Sequence, residues 1–260
     1  MSVNVTTMRA SDGSVVKLEC HNALPSTSQL AREYAKRGYP DRYVVFAEGK
    51  KKLDQDGRFR GEIERGVYMS CILRPSIFPS QAALLSSLSA VAMTTALLEH
   101  TTSSLGIGWV SKIYCNGKII GESSIEGKLD NFTSYEYIIV SFSAVLSKED
   151  FPPRLTDLVR KVFESENTSV SLIIAKNILN KFFPFYVNMK NPTKFMDLYR
   201  KHFLLRGRKV RYLKDGRRQT CKVLGVDEHT CSLMVEDKYK RVVYISTPNK
   251  VTIPKKISIK

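Results

Sequence analysis

Apolar and polar residues alternate along Val15-Val-Lys-Leu-Glu-Cys20, which predicts a strand. The strand runs into His21-Asn-Ala-Leu-Pro-Ser-Thr-Ser28, and residues 29–38 then predict a short helix. Ser26, Thr27 and Ser28 are candidate N-caps for it, because a short hydroxyl side chain can accept from the unpaired N–H groups of a first helical turn. Tyr43-Val-Val-Phe-Ala47 has the composition of a buried strand. Residues 48–65 are polar, charged and punctuated by glycine, which predicts a long exposed loop. Loops of that length are usually functional or disordered. The next predicted strand covers residues 67–73 and stops before Pro75.

Pro79-Ser80 opens a predicted helix to about His100 that is apolar on most of its circumference, the pattern of a buried helix. Residues 108–115, the dipeptide Asn116-Gly117 and residues 118–126 predict a β-hairpin with Asn-Gly as its turn. Residues 135–145 are strongly β-favouring and suit a central strand. Helices are predicted over 154–164, 170–183 and 194–203. Beyond Arg206 the pattern changes to short strands at regular spacing, over 209–213, 220–226, 232–235, 241–245 and 250–253. Turns fall at Asp215-Gly216 and Asp227-Glu228. Five such strands predict a small barrel.

Composition narrows the class. The chain has 260 residues, 43% hydrophobic and 25% charged, ordinary values for a soluble globular protein. Its longest apolar candidate, residues 82–98, is interrupted by Ser86, Ser87, Ser89, Thr94 and Thr95, which argues against a membrane span. The first eight residues lack the basic-then-apolar pattern of a secretory signal, so a cytoplasmic location is expected. Cys20, Cys71, Cys115, Cys221 and Cys231 form an odd set without a CxxC pair, against a disulfide framework or a structural zinc site. The net charge of +16 is uneven: residues 187–260 hold 19 Lys/Arg against 6 Asp/Glu. That shift predicts two domains with different surfaces, the second attractive to an acidic partner or nucleic acid.

The candidate chemistry starts at Gly57-Arg58-Phe59-Arg60-Gly61. Two arginines between glycines make a cationic loop able to close on phosphate, because guanidinium is a planar fork and glycine lets the backbone approach. Taken alone, a solvated hairpin loop is the better reading.

The order of elements adds to it. A Ser-Thr pair opens a helix, a Gly-Arg-x-Arg loop precedes a strand ending near Pro75, and a buried helix follows. Next comes a Trp-bearing hairpin with Gly-Lys-Ile-Ile-Gly after its turn, then the segment 198–210 and a small basic barrel. Over residues 15–253 this resembles the biotin protein ligases, in the non-regulatory class that lacks an N-terminal helix-turn-helix. The implied fold class is α/β (α+β): a mixed sheet backed by helices, similar to class II aminoacyl-tRNA synthetases and biotin ligases, plus a small C-terminal SH3-like β-barrel. The expected domains are a catalytic domain over 1–190, a connecting helix over 191–205 and the basic barrel over 206–260.

The resemblance implies two steps. Biotin carboxylate attacks the α-phosphate of ATP to give biotinyl-5′-AMP, and a lysine of a biotin carboxyl carrier domain of a carboxylase then attacks that mixed anhydride. Ser26, Thr27 and Ser28 match the biotin-ring site, where hydroxyls can serve ureido donors and acceptors. Gln55 lies one position from the loop glutamine of the ligases, beside an insertion among Lys50-Lys51-Lys52. Gly57, Arg58, Arg60 and Gly61 match the adenylate-binding loop. Lys118 matches the lysine beside the biotin carboxylate and adenylate phosphate, where a cation offsets developing charge, and Gly121 matches the glycine after it. Arg60 and Lys118 are the expected catalytic pair. Arg58, Arg60, Trp109 and Lys112 are the expected nucleotide contacts.

The departures concern the ATP side. The Lys-Trp-Pro-Asn-Asp motif of the ligases appears as Gly108-Trp109-Val110-Ser111-Lys112, and the Gly-x-Gly-x-Asn strand as Ser141-Phe142-Ser143-Ala144-Val145. An inactive homologue that binds biotin, an acyl group or a carrier protein is therefore the second reading. Nucleic-acid binding by the barrel, through Tyr212, Tyr239 and Tyr244, ranks third, since such tyrosines are more often cross-strand pairs. Biotin and ATP are the expected substrates. The sequence assigns no residue to magnesium and leaves oligomeric state and the choice of biotin over lipoate or octanoate open.

Overall fold

The computed structural model describes residues 4–101, 103–130, 134–145 and 169–253, apart from the side chains of Arg60 and Ser80. The helix predicted over 154–164 lies outside the described residues. Within them, eight strands form one mixed sheet: β1 (Asn4–Arg9), β2 (Val15–His21), β3 (Tyr43–Leu53), β4 (Phe59–Leu73), β5 (Leu105–Gly108), β6 (Lys112–Cys115), β7 (Lys118–Leu129) and β8 (Tyr135–Val145). Their spatial order is β1-β2-β3-β4-β8-β7-β6-β5. Only β2 and β3 pair in parallel, and α1 (Thr27–Lys36) makes the crossover that a parallel pair requires.

Strand alternation sends the two sets of side chains to different partners. Val44, Phe46, Met69, Cys71, Val140 and Phe142 face the larger core, with the buried residues of α2 (Ala82–Leu98) and α3 (Val170–Val187). Tyr43, Val45, Ile72, Tyr137 and Ile139 face the other way and pack with Ala31 and Ala35 of α1. The helix α1 is anchored to this face by Arg74, whose guanidinium donates to the carbonyls of Ala35 (2.9 Å), Tyr39 (3.0 Å) and Glu136 (3.1 Å). Arg32 adds a 2.5 Å ion pair to Glu126 on β7. The start of α1, where Ser26 caps, is thereby held over one end of the sheet.

Beneath α1, Glu19 is 2% exposed. It accepts from the hydroxyls of Tyr34 (3.1 Å) and Tyr43 (2.5 Å) and contacts His21 Nε2 (2.7 Å). Burial, and then the bond to Glu19, pushes the Tyr34 phenol up to about 12. A raised phenol pKa means that the neutral form stabilises the fold. That contribution is complete below the ordinary value of 10.0 and is lost as pH rises through about 12. The thermal midpoint is expected to fall more steeply between those limits in the wild type than in Tyr34→Phe, and parallel curves would remove Tyr34 from the account.

Two predicted elements are corrected. Residues 48–65 are not an exposed loop but the paired outer halves of β3 and β4, with the turn confined to 54–58. Polarity hid the pairing, because the strands are joined by opposite charges across the ladder. Lys50 lies opposite Glu64, and Lys52 reaches Glu62 at 3.2 Å. Residues 108–115 are likewise not one strand. The chain turns at 109–111, and β5 and β6 lie antiparallel on either side. The hairpin from β6 to β7 through Asn116-Gly117 forms as the sequence predicts.

After α4 (Thr193–His202) a second, separate sheet follows, in the order β12-β11-β10-β9-β13. Its strands are β9 (Lys209–Lys214), β10 (Arg217–Val226), β11 (Leu233–Glu236), β12 (Val242–Ile245) and β13 (Val251–Thr252), all antiparallel. Val210, Val223, Leu233 and Ile245 join the same buried cluster as α2 and Ile113. The two sheets share one core.

Candidate functional site

The start of α1, the loop before it, and strands β3, β4, β7 and β8 surround a cavity of about 210 Å³. Its position follows from local structure. The backbone of Leu24 pairs with β3, accepting from Lys51 N at 2.9 Å and donating to Gly49 O at 3.1 Å. That pins the loop beside Lys50 and delivers Pro25, Ser26, Thr27 and Ser28 to the cavity rim. Ser26 is the N-cap, its Oγ accepting from Gln29 N at 3.2 Å and lying 3.0 Å from Ser28 Oγ. The positive end of the helix dipole therefore borders the cavity and favours an acceptor or anion there.

The floor comes from β7 and β8. Glu122 and Ser124 line the cavity, and they stand opposite Ser143 and Ser141 in the ladder. The four side chains form a two-by-two polar patch on the α1 face, while Phe142 and Ala144 belong to the core behind it. A hydroxyl chain ties the patch to the helix: Thr27 Oγ1 lies 2.8 Å from Ser70 Oγ, which lies 2.9 Å from Ser141 Oγ. Ser70 is fully buried, and its hydroxyl makes both contacts. Tyr68 forms another wall and donates to Glu64 at 2.5 Å, with burial first and that bond second raising its phenol pKa. The arrangement presents donors and acceptors at close range, plus one carboxylate and one ammonium, Lys50.

The structure brings Ser26, Thr27 and Ser28 to the cavity, and among the described residues none of the other candidates lines it. Lys118 opens β7 opposite Cys115, exposed, about 13 Å along the strand from Glu122 at the usual rise. Lys112 stands directly opposite Glu122 on β6, next to the cavity wall. Gly121 faces away from the cavity. A Cβ there would lie 2.8 Å from Ser143 O and 2.9 Å from Met93 Cε, so the glycine serves the packing of β7 against α2.

Gln55, Gly57 and Arg58 occupy the exposed turn of the β3–β4 hairpin. Gly57 has φ +76°, a conformation that favours glycine, and Arg58 N donates to Asp54 Oδ1 at 2.8 Å. The turn begins about 13 Å along β3 from Lys50, so the arginine loop stands off the cavity at the end of an arm. Arg60 lies at the start of β4 in that arm, and its side chain is outside the described residues. Trp109 lies elsewhere. It is 4% exposed, its indole N–H donates to Cys231 O at 2.9 Å, and it joins the two sheets rather than lining the cavity.

Lys50, Tyr68, Glu122 and Ser124 are lining residues that motif reading does not reach. The signal for Glu122 and Ser124 is alternation, since Glu122, Ser124 and Glu126 interleave with Gly121, Ser123 and Ile125. Among the described residues no cluster of three or more His, Cys, Asp or Glu could hold a metal ion. No described helix is long and apolar enough to cross a membrane.

This mixed sheet with its helices is similar in fold to solved biotin protein ligases. A biotin protein ligase-like protein of unknown function from Silicibacter sp. superposes with a TM-score of 0.65 at 15% identity, over 89% of this chain and 94% of that one. The biotin protein ligase of Aquifex aeolicus in complex with biotin and ATP gives 0.62 at 18% identity, over 90% and 97%. That of Leishmania major in complex with biotinyl-5-AMP gives 0.51 at 17%, over 88% and 97%. In sequence, the chain is 27% identical over 158 residues to the bifunctional ligase/repressor BirA of Bacillus subtilis (strain 168). The match spans 58% of this chain and about half (47%) of that relative. No protein-family model matches the chain.

Proposed function

We propose that the chain is a biotin protein ligase. A biotin carboxylate oxygen attacks the α-phosphorus of ATP, pyrophosphate leaves, and biotinyl-5′-AMP forms. A carrier-domain lysine, entering as the free amine, then attacks the acyl carbon, forms the amide and releases AMP, its extra proton passing to solvent. The observation that carries this is the meeting of the Ser26-Thr27-Ser28 helix start with the β7–β8 floor in one cavity, in a fold shared with ligases that hold biotin and ATP. The serines serve the biotin ring, with Gly121 behind the strand. Lys118 serves the reacting carboxylate and phosphate. Arg58 and Arg60, with Gln55 and Gly57, close on the adenylate when the hairpin arm folds inward, and Lys112 contacts phosphate from beside Glu122.

The C-terminal strands form a small SH3-like barrel in this reading, supported by five short antiparallel strands and a bulge between Val223 and Gly225. The catalytic part covers 1–190 and the connecting helix 191–205, with the barrel over 206–260. The partner is a biotin carboxyl carrier domain, and the location is cytoplasmic. None of the five cysteines is in a disulfide, which fits a reducing compartment.

A specific observation favours a second reading, a homologue that binds biotin without transferring it. The Trp109 turn, where the ligases carry their Lys-Trp-Pro-Asn-Asp motif, is used here as a structural joint. Biotin-dependent ATP–pyrophosphate exchange separates the two. Exchange supports the ligase, whereas biotin binding without exchange by the intact chain would establish the second reading.

A further inference from the structure

Glu122 is the one carboxylate lining the cavity, and its side chain has no hydrogen-bond or ion-pair partner among the described residues. It is held on the α1 face by its place in β7, beside hydroxyls that are tied to each other. The chain Thr27–Ser70–Ser141 holds three hydroxyl protons and two internal bonds, so one proton is left over. When Thr27 donates to Ser70 and Ser70 to Ser141, the remaining proton is that of Ser141, at the cavity wall. A ligand carbonyl selects that direction. The cavity then offers a donor at Ser141 and a full acceptor charge at Glu122, on the diagonal of the two-by-two patch. Diagonal neighbours stand about 7–8 Å apart at the backbone. A small planar group bridges that span with hydrogen bonds of about 2.9 Å at each end.

The geometry points to Glu122 as a ligand-binding and specificity-determining residue that accepts one N–H of a cyclic urea whose carbonyl accepts from Ser141. This rests on the biotin reading above and adds to it the reason for biotin over a plain acyl acid. A lipoyl or octanoyl chain has no N–H to offer, and placing it against Glu122 strips water from an unpaired carboxylate without replacement. A urea N–H restores a hydrogen bond to it, and a charge-assisted one. The alternative role for Glu122 is a cross-strand partner of Lys112, which stabilises the ladder and leaves ligand choice untouched.

Titration calorimetry with biotin and with octanoate, on the intact wild type, Glu122→Gln and Glu122→Leu, tests it. The wild type is expected to prefer biotin. Glu122→Gln should weaken biotin roughly 10–100-fold, the usual value of a hydrogen bond to a charged group. Glu122→Leu should weaken biotin at least as much while tightening octanoate, a crossover that a damaged fold cannot produce. Equal biotin affinity in all three proteins, or equal weakening of both ligands, would overturn the inference and leave the biotin reading standing. A wild type that binds no biotin would overturn both.

Discussion

Lys118→Ala is expected to slow biotin-dependent ATP–pyrophosphate exchange by roughly 10²–10³-fold, the usual cost of removing one preorganised charge contact. The expected effect is electrostatic. In the proposed reaction, as biotin carboxylate attacks the α-phosphorus, negative charge gathers on the phosphoryl oxygens and the departing pyrophosphate. A cation fixed on a strand is already in place for that charge, whereas water must reorganise around it. The Lys118 side chain is exposed at the start of β7, so its removal opens no core cavity. The thermal midpoint should therefore hold while kcat falls, with biotin affinity changing less. Lys118→Arg keeps the charge at altered reach and should recover part of the rate. Full exchange activity in Lys118→Ala would remove the lysine from the chemistry. The same assay on Arg60→Ala then asks whether the hairpin arm does the work alone.

The elements that local pattern determines were legible. The run over 135–145 is β8, inside the large sheet between β4 and β7, because β-branched and aromatic residues on both faces suit a strand buried on both sides. Ser26 caps α1 as its hydroxyl and position predict. The regular spacing beyond Arg206 is a second sheet. What was not legible depends on partners distant in sequence. The β3–β4 arm reads as a loop because its residues are polar, yet Lys50 lies opposite Glu64 in the ladder and Lys52 forms an ion pair with Glu62. Polarity along one strand says nothing about the strand opposite. The break at 109–111 is imposed from outside: Tyr199 donates to Val110 O at 2.8 Å, and Ser111 Oγ donates to Ser123 O at 2.7 Å.

The candidate site divides in the same way. The serines at the start of α1 carry a local signature, and they line the cavity. Glu122 belongs to no motif. The ladder sets it opposite Ser143, in the wall of the cavity. Trp109, matched to the nucleotide side of the ligases, also has a structural task, its indole N–H donating to Cys231 O.

That task leads to the largest stability effect expected. Trp109→Ala should lower the unfolding free energy by about 3–5 kcal/mol, the usual range for truncating a buried aromatic. At this chain length it should lower the thermal midpoint by on the order of 10 °C. Trp109 is 4% exposed, and its indole N–H meets the carbonyl of Cys231, whose sulfur in turn lies 3.0 Å from Ser87 Oγ on α2. One side chain thus joins β5, the second sheet and the central helix. Trp109→Phe separates the contributions. It retains most of the apolar contact but leaves the Cys231 carbonyl unpaired, at a cost of about 1–3 kcal/mol. Because one core runs through both sheets, each variant should unfold in a single transition shifted to lower temperature, without a separate early melt of the C-terminal sheet. Scanning calorimetry reads both the shift and the number of transitions. A Trp109→Ala protein with an unchanged midpoint would mean that the joint is held elsewhere, and would restore the case for reading Trp109 as a nucleotide contact.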